Sequence, residues 1–197
     1  MDNFREKFTK DYLKEIHTIL NVMERDLVKK MDTIATILLK ARTERKTIFI
    51  MGNGGSASTA SHFVSDLSKG TIVDGFPRFK AIALTDNIPT MLAWANDASY
   101  DDIFVEQLKN LMEPGDVIIG ISGSGNSANV IKAIEYANEN RGITIGISGY
   151  DGGALLRCAQ ENIHAPSNYM QRVEDIHLLL EHLLTSLIRE EQQRQKK

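Results

Sequence analysis

Apolar residues in the first 46 positions recur at three- and four-residue steps: Phe4, Phe8, Tyr12, Ile16, Ile19 and Leu20, then Leu27, Met31, Ile34, Leu38 and Leu39. That period lines one face of a helix. Neither stretch contains Pro or Gly, and the pattern predicts two helices over residues 4–46 with a break near residues 20–26. From residue 47 the period changes. Short apolar runs, read as strands, fall at Thr47–Met51, Ala81–Thr85, Asp116–Ile121, Ile143–Ser148 and Asn162–Ala165. Helical patterns alternate with them at 56–67, from Pro89 to about Ala95, at 100–112, at 127–138, after Gly153, and from Met170 to beyond Leu187. Pro89 suits the first turn of its helix. The terminal REEQQRQKK is expected to fray into solvent.

Strands that are apolar throughout, rather than at alternate positions, are buried on both faces, and strands alternating with helices pair in parallel. The predicted class is α/β: a parallel sheet flanked by helices in three layers, with an N-terminal helical extension. Residues 1–46 form that extension, for packing or oligomerisation, and residues 47–197 form the ligand-binding part. The chain is best treated as one domain, 1–197. Ligands of such sheets bind beyond the carboxyl ends of the strands, which is where this chain keeps its Gly- and Ser-rich loops.

Composition narrows the partners. The chain has 197 residues and a formal net charge of −3. The first 46 residues carry 11 basic and 8 acidic side chains and the remaining 151 carry 12 and 18, so neither part offers the strongly basic face that nucleic acid requires. No apolar run approaches the roughly 20 residues that span a bilayer, and the N-terminus lacks the uninterrupted apolar core of a signal peptide. A lone cysteine, Cys158, cannot form an internal disulfide, so a reducing cytoplasm is the expected compartment. Its setting, ALLRCA, predicts an inert packed thiol.

Two segments share one plan. IFIMGNGGSAS and VIIGISGSGNS each run from apolar strand through a Gly/Ser/Asn loop into a helix, with Gly52 and Ser122 70 residues apart. Such a loop aims unpaired N–H groups and the positive end of a helix dipole at one point, and the hydroxyls of Ser122, Ser124 and Ser127 add donors suited to phosphate. Taken singly, either loop is also an ordinary turn with a capped helix. Neither is a Walker A sequence or G-x-G-x-x-G, so no nucleotide cofactor is expected and the ligand is read as a small phosphorylated metabolite.

The acid, base and metal candidates lie on two helices. His62 and Asp66 are four apart, one turn from each other. Glu174 and His182 are eight apart on the last helix, about 80° in azimuth after two turns, so both can approach a common site. Leu178, Leu179 and Leu183 of that helix are expected to face the core. His177 reads as a hydrogen-bonded interior histidine with Asp175 as its candidate partner. Two carboxylates and two imidazoles suit either a divalent metal or a general acid/base pair.

The strings GNGGSAS, SHFVSDL, ALTDN, WANDASYDDIF, GDVIIGISGSGNSANVIKAI, GYDGG and RVEDIHLLLEHL resemble the sugar isomerase (SIS) domain family over nearly the whole chain, and within it the phosphoheptose isomerase group. The resemblance implies a five-stranded parallel sheet and a homotetramer with active sites built between chains. Sugar-phosphate contacts are implied at Asn53, Gly54, Gly55, Asn96, Asp97, Ser122, Gly123, Ser124 and Ser127, with Asp66 and Glu174 also facing substrate. Zinc ligands are implied at His62, Asp66, Glu174 and His182, and catalytic roles at Asp66, Glu174 and His182. The family usually has Glu where this chain has Asp66, and Gln where it has Glu174.

The implied reaction is aldose–ketose isomerisation of sedoheptulose 7-phosphate to a heptose 7-phosphate through an enediol, with Asp66 or Glu174 as base and His182 as acid. The alternatives are an isomerase of another phosphosugar, or a noncatalytic phosphosugar-binding regulator resembling the SIS proteins that assist the replication initiator.

Overall fold

The computed structural model describes residues 3–196. Helix α1 (Phe4–Thr43) leads into β1 (Thr47–Gly52), α2 (Gly55–Ser65) and a π-helical turn (Asp66–Gly70). There follow β2 (Lys80–Ala83), α3 (Ile88–Asp97), a 3₁₀ turn (Tyr100–Asp102), α4 (Val105–Leu111) and β3 (Val117–Ser122). Helix α5 (Ala128–Glu139), β4 (Ile143–Ser148), α6 (Leu155–Cys158), β5 (Glu161–His164) and α7 (Met170–Gln195) complete the chain. The five strands form one sheet in the order β2-β1-β3-β4-β5, every pair parallel.

Each strand feeds two apolar layers. Ile48 and Ile50 of β1 and Ile119 and Ile121 of β3 join Ile34 and Leu38 of α1, Phe63 of α2 and Leu180 and Leu184 of α7 on one side. Phe49, Met51 and Ile118 face the other side, against Phe104, Leu108, Val130, Ile134 and Leu155. Burial on both faces is why the strands read as continuous apolar runs. Buried Asp116 ties the start of this layer together: its carboxylate accepts from the N–H of Thr47 at 2.8 Å and from that of Glu113 at 2.8 Å.

Three expectations are corrected. The N-terminal segment is one unbroken 40-residue helix, not two. Met23 lies inside the expected break and is buried between Ile19 and Met31, so the apolar stripe runs through in register. At the other end, α7 continues to Gln195 with Ile188 and Gln192 buried, so most of REEQQRQKK is helical rather than frayed, and Lys197 lies outside the described residues. On α7 the core face is Ile176, Leu180, Leu184 and Ile188, whereas Leu179 and Leu183 are exposed. Cys158 is half-buried against the second layer, and burial pushes its thiol pKa up. No helix among the described residues is long and apolar enough to cross a membrane.

Candidate active site at the switch point of the sheet

The chain leaves β1 toward β2 on one side, and β3 returns on the other. Strand order reverses between β1 and β3, which opens a crevice at their carboxyl ends. Gly52 and Ile121 are register partners there, so the two loops with the same plan, far apart in sequence, end side by side. They line a cleft of about 230 Å³ with Asn53, Gly54, Gly55, Ser56, Ser122, Gly123, Ser124, Ser127, Met170 and Glu174.

Local backbone sets this cleft. Gly54 holds φ at +54° just before α2, a region that side chains disfavour. Gly55 is required for space: a Cβ there would stand 2.3 Å from Oε1 of Glu174. The Glu174 carboxylate therefore sits against the first turn of α2, where the helix dipole favours negative charge. Ser127 precedes α5 without capping it. Its hydroxyl instead lies 2.8 Å from that of Ser122, so both hydroxyls stand at the cleft. Asn53 is held by a reciprocal amide pair with buried Asn129, 2.9 Å in each direction, and by the Tyr100 hydroxyl donating at 2.9 Å.

Helix α2 packs along α7. The seven residues from Gly55 to His62 and the eight from Glu174 to His182 rise by about 10 and 12 Å, so contact at one end brings contact at the other. At that second end, Nε2 of His182 is 3.3 Å from Nε2 of His62, and the rings meet edge to face at 76°. His62 Nε2 is 3.9 Å from Asp66 Oδ1. Asp66 opens the π turn, a widened backbone often found at functional sites.

Glu181 completes the cluster. Its side chain is fully buried, its Oε2 is 3.3 Å from His182 Nε2, and neither oxygen has a hydrogen-bond partner. Burial, with the Asp66 carboxylate beside it, pushes its pKa up to about 8. Donor atoms of His62, Asp66, Glu181 and His182 all lie within 4.8 Å of one another. Two imidazole nitrogens and two carboxylates form a donor set that fits zinc or a similar divalent cation, and the partnerless Glu181 oxygens are what a cation would satisfy.

Residues 11–149 match the SIS domain family. The relatives agree over greater length. The phosphoheptose isomerase of Shewanella denitrificans is 36% identical over 182 residues, 91% of this chain and 92% of its own. That of Aliarcobacter butzleri is 37% identical over 91% of this chain and 94% of its own. The chain belongs to the SIS domain family. The solved phosphoheptose isomerase of Neisseria gonorrhoeae superposes with a TM-score of 0.85 at 30% identity, covering 93% of this chain and 97% of that one.

Within this SIS chain the residues singled out from sequence divide into three places. Asn53, Gly54, Gly55, Ser122, Gly123, Ser124, Ser127 and Glu174 share the cleft. His62, Asp66 and His182 come together two to three turns along α2 and α7, with Glu181 rather than Glu174 as the fourth donor. Asn96 and Asp97 lie apart from both, exposed at the end of α3 and hydrogen-bonded to each other at 2.8 Å. His177 is buried, but Asp175 is not its partner: Asp175 accepts from the Tyr12 hydroxyl, and neither His177 ring nitrogen has a hydrogen-bond partner. Glu181 escaped sequence reading because an acid in LLLEHL reads as a solvent position. Its spacing carried a signal, since it lies four residues after His177 and three before Leu184 on the core face.

Proposed function

We propose that the chain is a phosphoheptose isomerase, converting sedoheptulose 7-phosphate to a heptose 7-phosphate in the cytoplasm. The observation that carries the reading is the meeting of a serine-lined phosphate cleft and a free carboxylate, Glu174, in one crevice. The names of the relatives supply the length of the sugar.

The hydroxyls of Ser122, Ser124 and Ser127 and the first turns of α2 and α5 bind the phosphate. Glu174 takes the proton from C1 of the ketose, while Nε2 of His182 donates a proton to the C2 carbonyl oxygen, giving the 1,2-enediol. Glu174 then returns its proton to C2, and the O1 proton passes back to His182, leaving the C1 aldehyde. Asn53, braced by Asn129 and Tyr100, orients the sugar. His62, Asp66, Glu181 and His182 would hold a divalent cation, which when bound would supply Lewis-acid polarisation of the carbonyl oxygen in place of the imidazole proton.

The site works in an oligomer. The groove between α1 and α7 has a volume of about 610 Å³ and is lined by Leu20, Leu27, Val28, Leu179, Leu183 and Leu187. It is larger than the serine cleft but holds few groups able to orient a sugar. It suits burial against a second copy, in line with the expected homotetramer. His62 and His182 are exposed in one copy, which fits active sites closed by a neighbour.

The test is isomerisation followed by NMR on a panel of sugar phosphates. The wild-type protein is expected to turn over sedoheptulose 7-phosphate, and His182→Ala is expected to lose most of that turnover. Full turnover by His182→Ala contradicts the assigned acid. Tight binding with no turnover of any sugar on the panel contradicts the enzyme and favours a regulator.

A further inference from the structure

We infer that Glu181, and not Glu174, is the second carboxylate ligand of the cation, so that these two acids of α7 have separate tasks. Glu181 binds metal and Glu174 faces the sugar. The inference rests on the metal-assisted reading of the site but not on which sugar is used.

The first support is burial without partners. The Glu181 side chain is fully buried, and both of its oxygens lack hydrogen-bond donors. A carboxylate in that position is costly unless a positive charge meets it. Among the described residues, the His182 imidazole is the one basic group within salt-bridge reach, and Asp66 adds a second carboxylate beside it. A divalent cation at this point satisfies both acids and both imidazoles together.

The second support is placement. Glu181 occupies the core face of α7, between Leu180 and Leu184, where an acid destabilises the fold unless it has a task. The π turn at Asp66–Gly70 interrupts α2 at the residue whose short side chain must reach the same point. Glu174 has neither property. Its carboxylate is packed on Gly55 in the serine cleft and is not among the clustered donor atoms. A set of two nitrogens and two oxygens matches the four-coordinate preference of Zn²⁺.

The experiment measures Zn²⁺ affinity of the metal-stripped full-length protein by chelator competition, together with the visible spectrum of the Co²⁺ form. Wild type and Glu174→Ala, which leaves no donor at that position, are expected to bind Zn²⁺ within about twofold of each other, with the same Co²⁺ spectrum. Glu181→Gln is expected to weaken binding by at least about 100-fold, since even residues behind the ligands cost 10–100-fold when changed. It should also abolish the zinc-dependent rise in Tm.

Wild-type affinity in Glu181→Gln overturns the inference. So does loss of Zn²⁺ by Glu174→Ala, or a wild-type protein that binds no Zn²⁺. If Glu181→Gln does not fold, Glu174→Ala alone decides: retained affinity and spectrum support the inference, and loss overturns it. Isomerisation by the wild-type protein is read separately, so a failed metal assignment leaves the isomerase reading standing, and a failed isomerase reading leaves the zinc titration interpretable.

Discussion

Gly55 has no side chain, and Glu174 occupies the space where one would be. This contact fixes the carboxylate on the first turn of α2, so it sets where Glu174, as the proposed base, can take a proton. Gly55→Ala must push the carboxylate outward. Misplacing a reacting group by about an ångström costs up to ~100-fold in rate, so kcat is expected to fall roughly 10- to 100-fold while KM changes little. Steady-state kinetics checks this, and an unchanged kcat argues against Glu174 as the base. The same residue scale shows what sequence could reveal. Ser122, Ser124 and Ser127 were legible because a strand–loop–helix unit presents its loop by construction. Glu181 was not, because its meaning depends on which face of α7 meets the core, and that is decided by packing against α2 and the sheet.

Elements were read more securely than their joints. The strands at Thr47, Asp116 and Ile143 were placed within a residue or so of β1, β3 and β4, because double burial makes them unbroken apolar runs. The break expected near residues 20–26 does not occur, because Met23 keeps the buried stripe of α1 in phase. On α7 the exposed leucines misled in the opposite direction, since an apolar residue facing a groove looks the same in sequence as one facing the core.

Helix α7 also carries a pH liability. Burial holds His177 down at about 4, against an ordinary value of 6.5. As pH falls below 6.5 the unfolded chain takes up a proton that the folded chain refuses until about pH 4. Stability therefore drops across that window, by up to about 3 kcal/mol. His177→Leu is expected to flatten the pH dependence of urea unfolding between pH 6.5 and 4. An identical slope in wild type and variant would show that His177 is not responsible.

At the scale of the whole molecule, the topology does the positioning. Reversal of strand order between β1 and β3 brings two loops of the same plan to one crevice, and the parallel run of α2 and α7 carries the chemistry from that crevice to the imidazole pair. The same α7 presents Leu179, Leu183 and Leu187 outward with α1. Leu183→Glu is expected to lower the mass seen by light scattering from that of the proposed homotetramer toward smaller species. A wild-type protein already monomeric at working concentration contradicts the neighbour-closed site.

The crevice is proposed to move a proton between two carbons of a phosphosugar. Incubating the protein with sedoheptulose 7-phosphate in deuterated water and following C1 by NMR tests it directly. Deuterium is expected to enter C1 in wild type, and that exchange to be lost in Glu174→Gln. Bound sugar phosphate whose C1 protons never exchange, or exchange that persists undiminished without the Glu174 carboxylate, would contradict it.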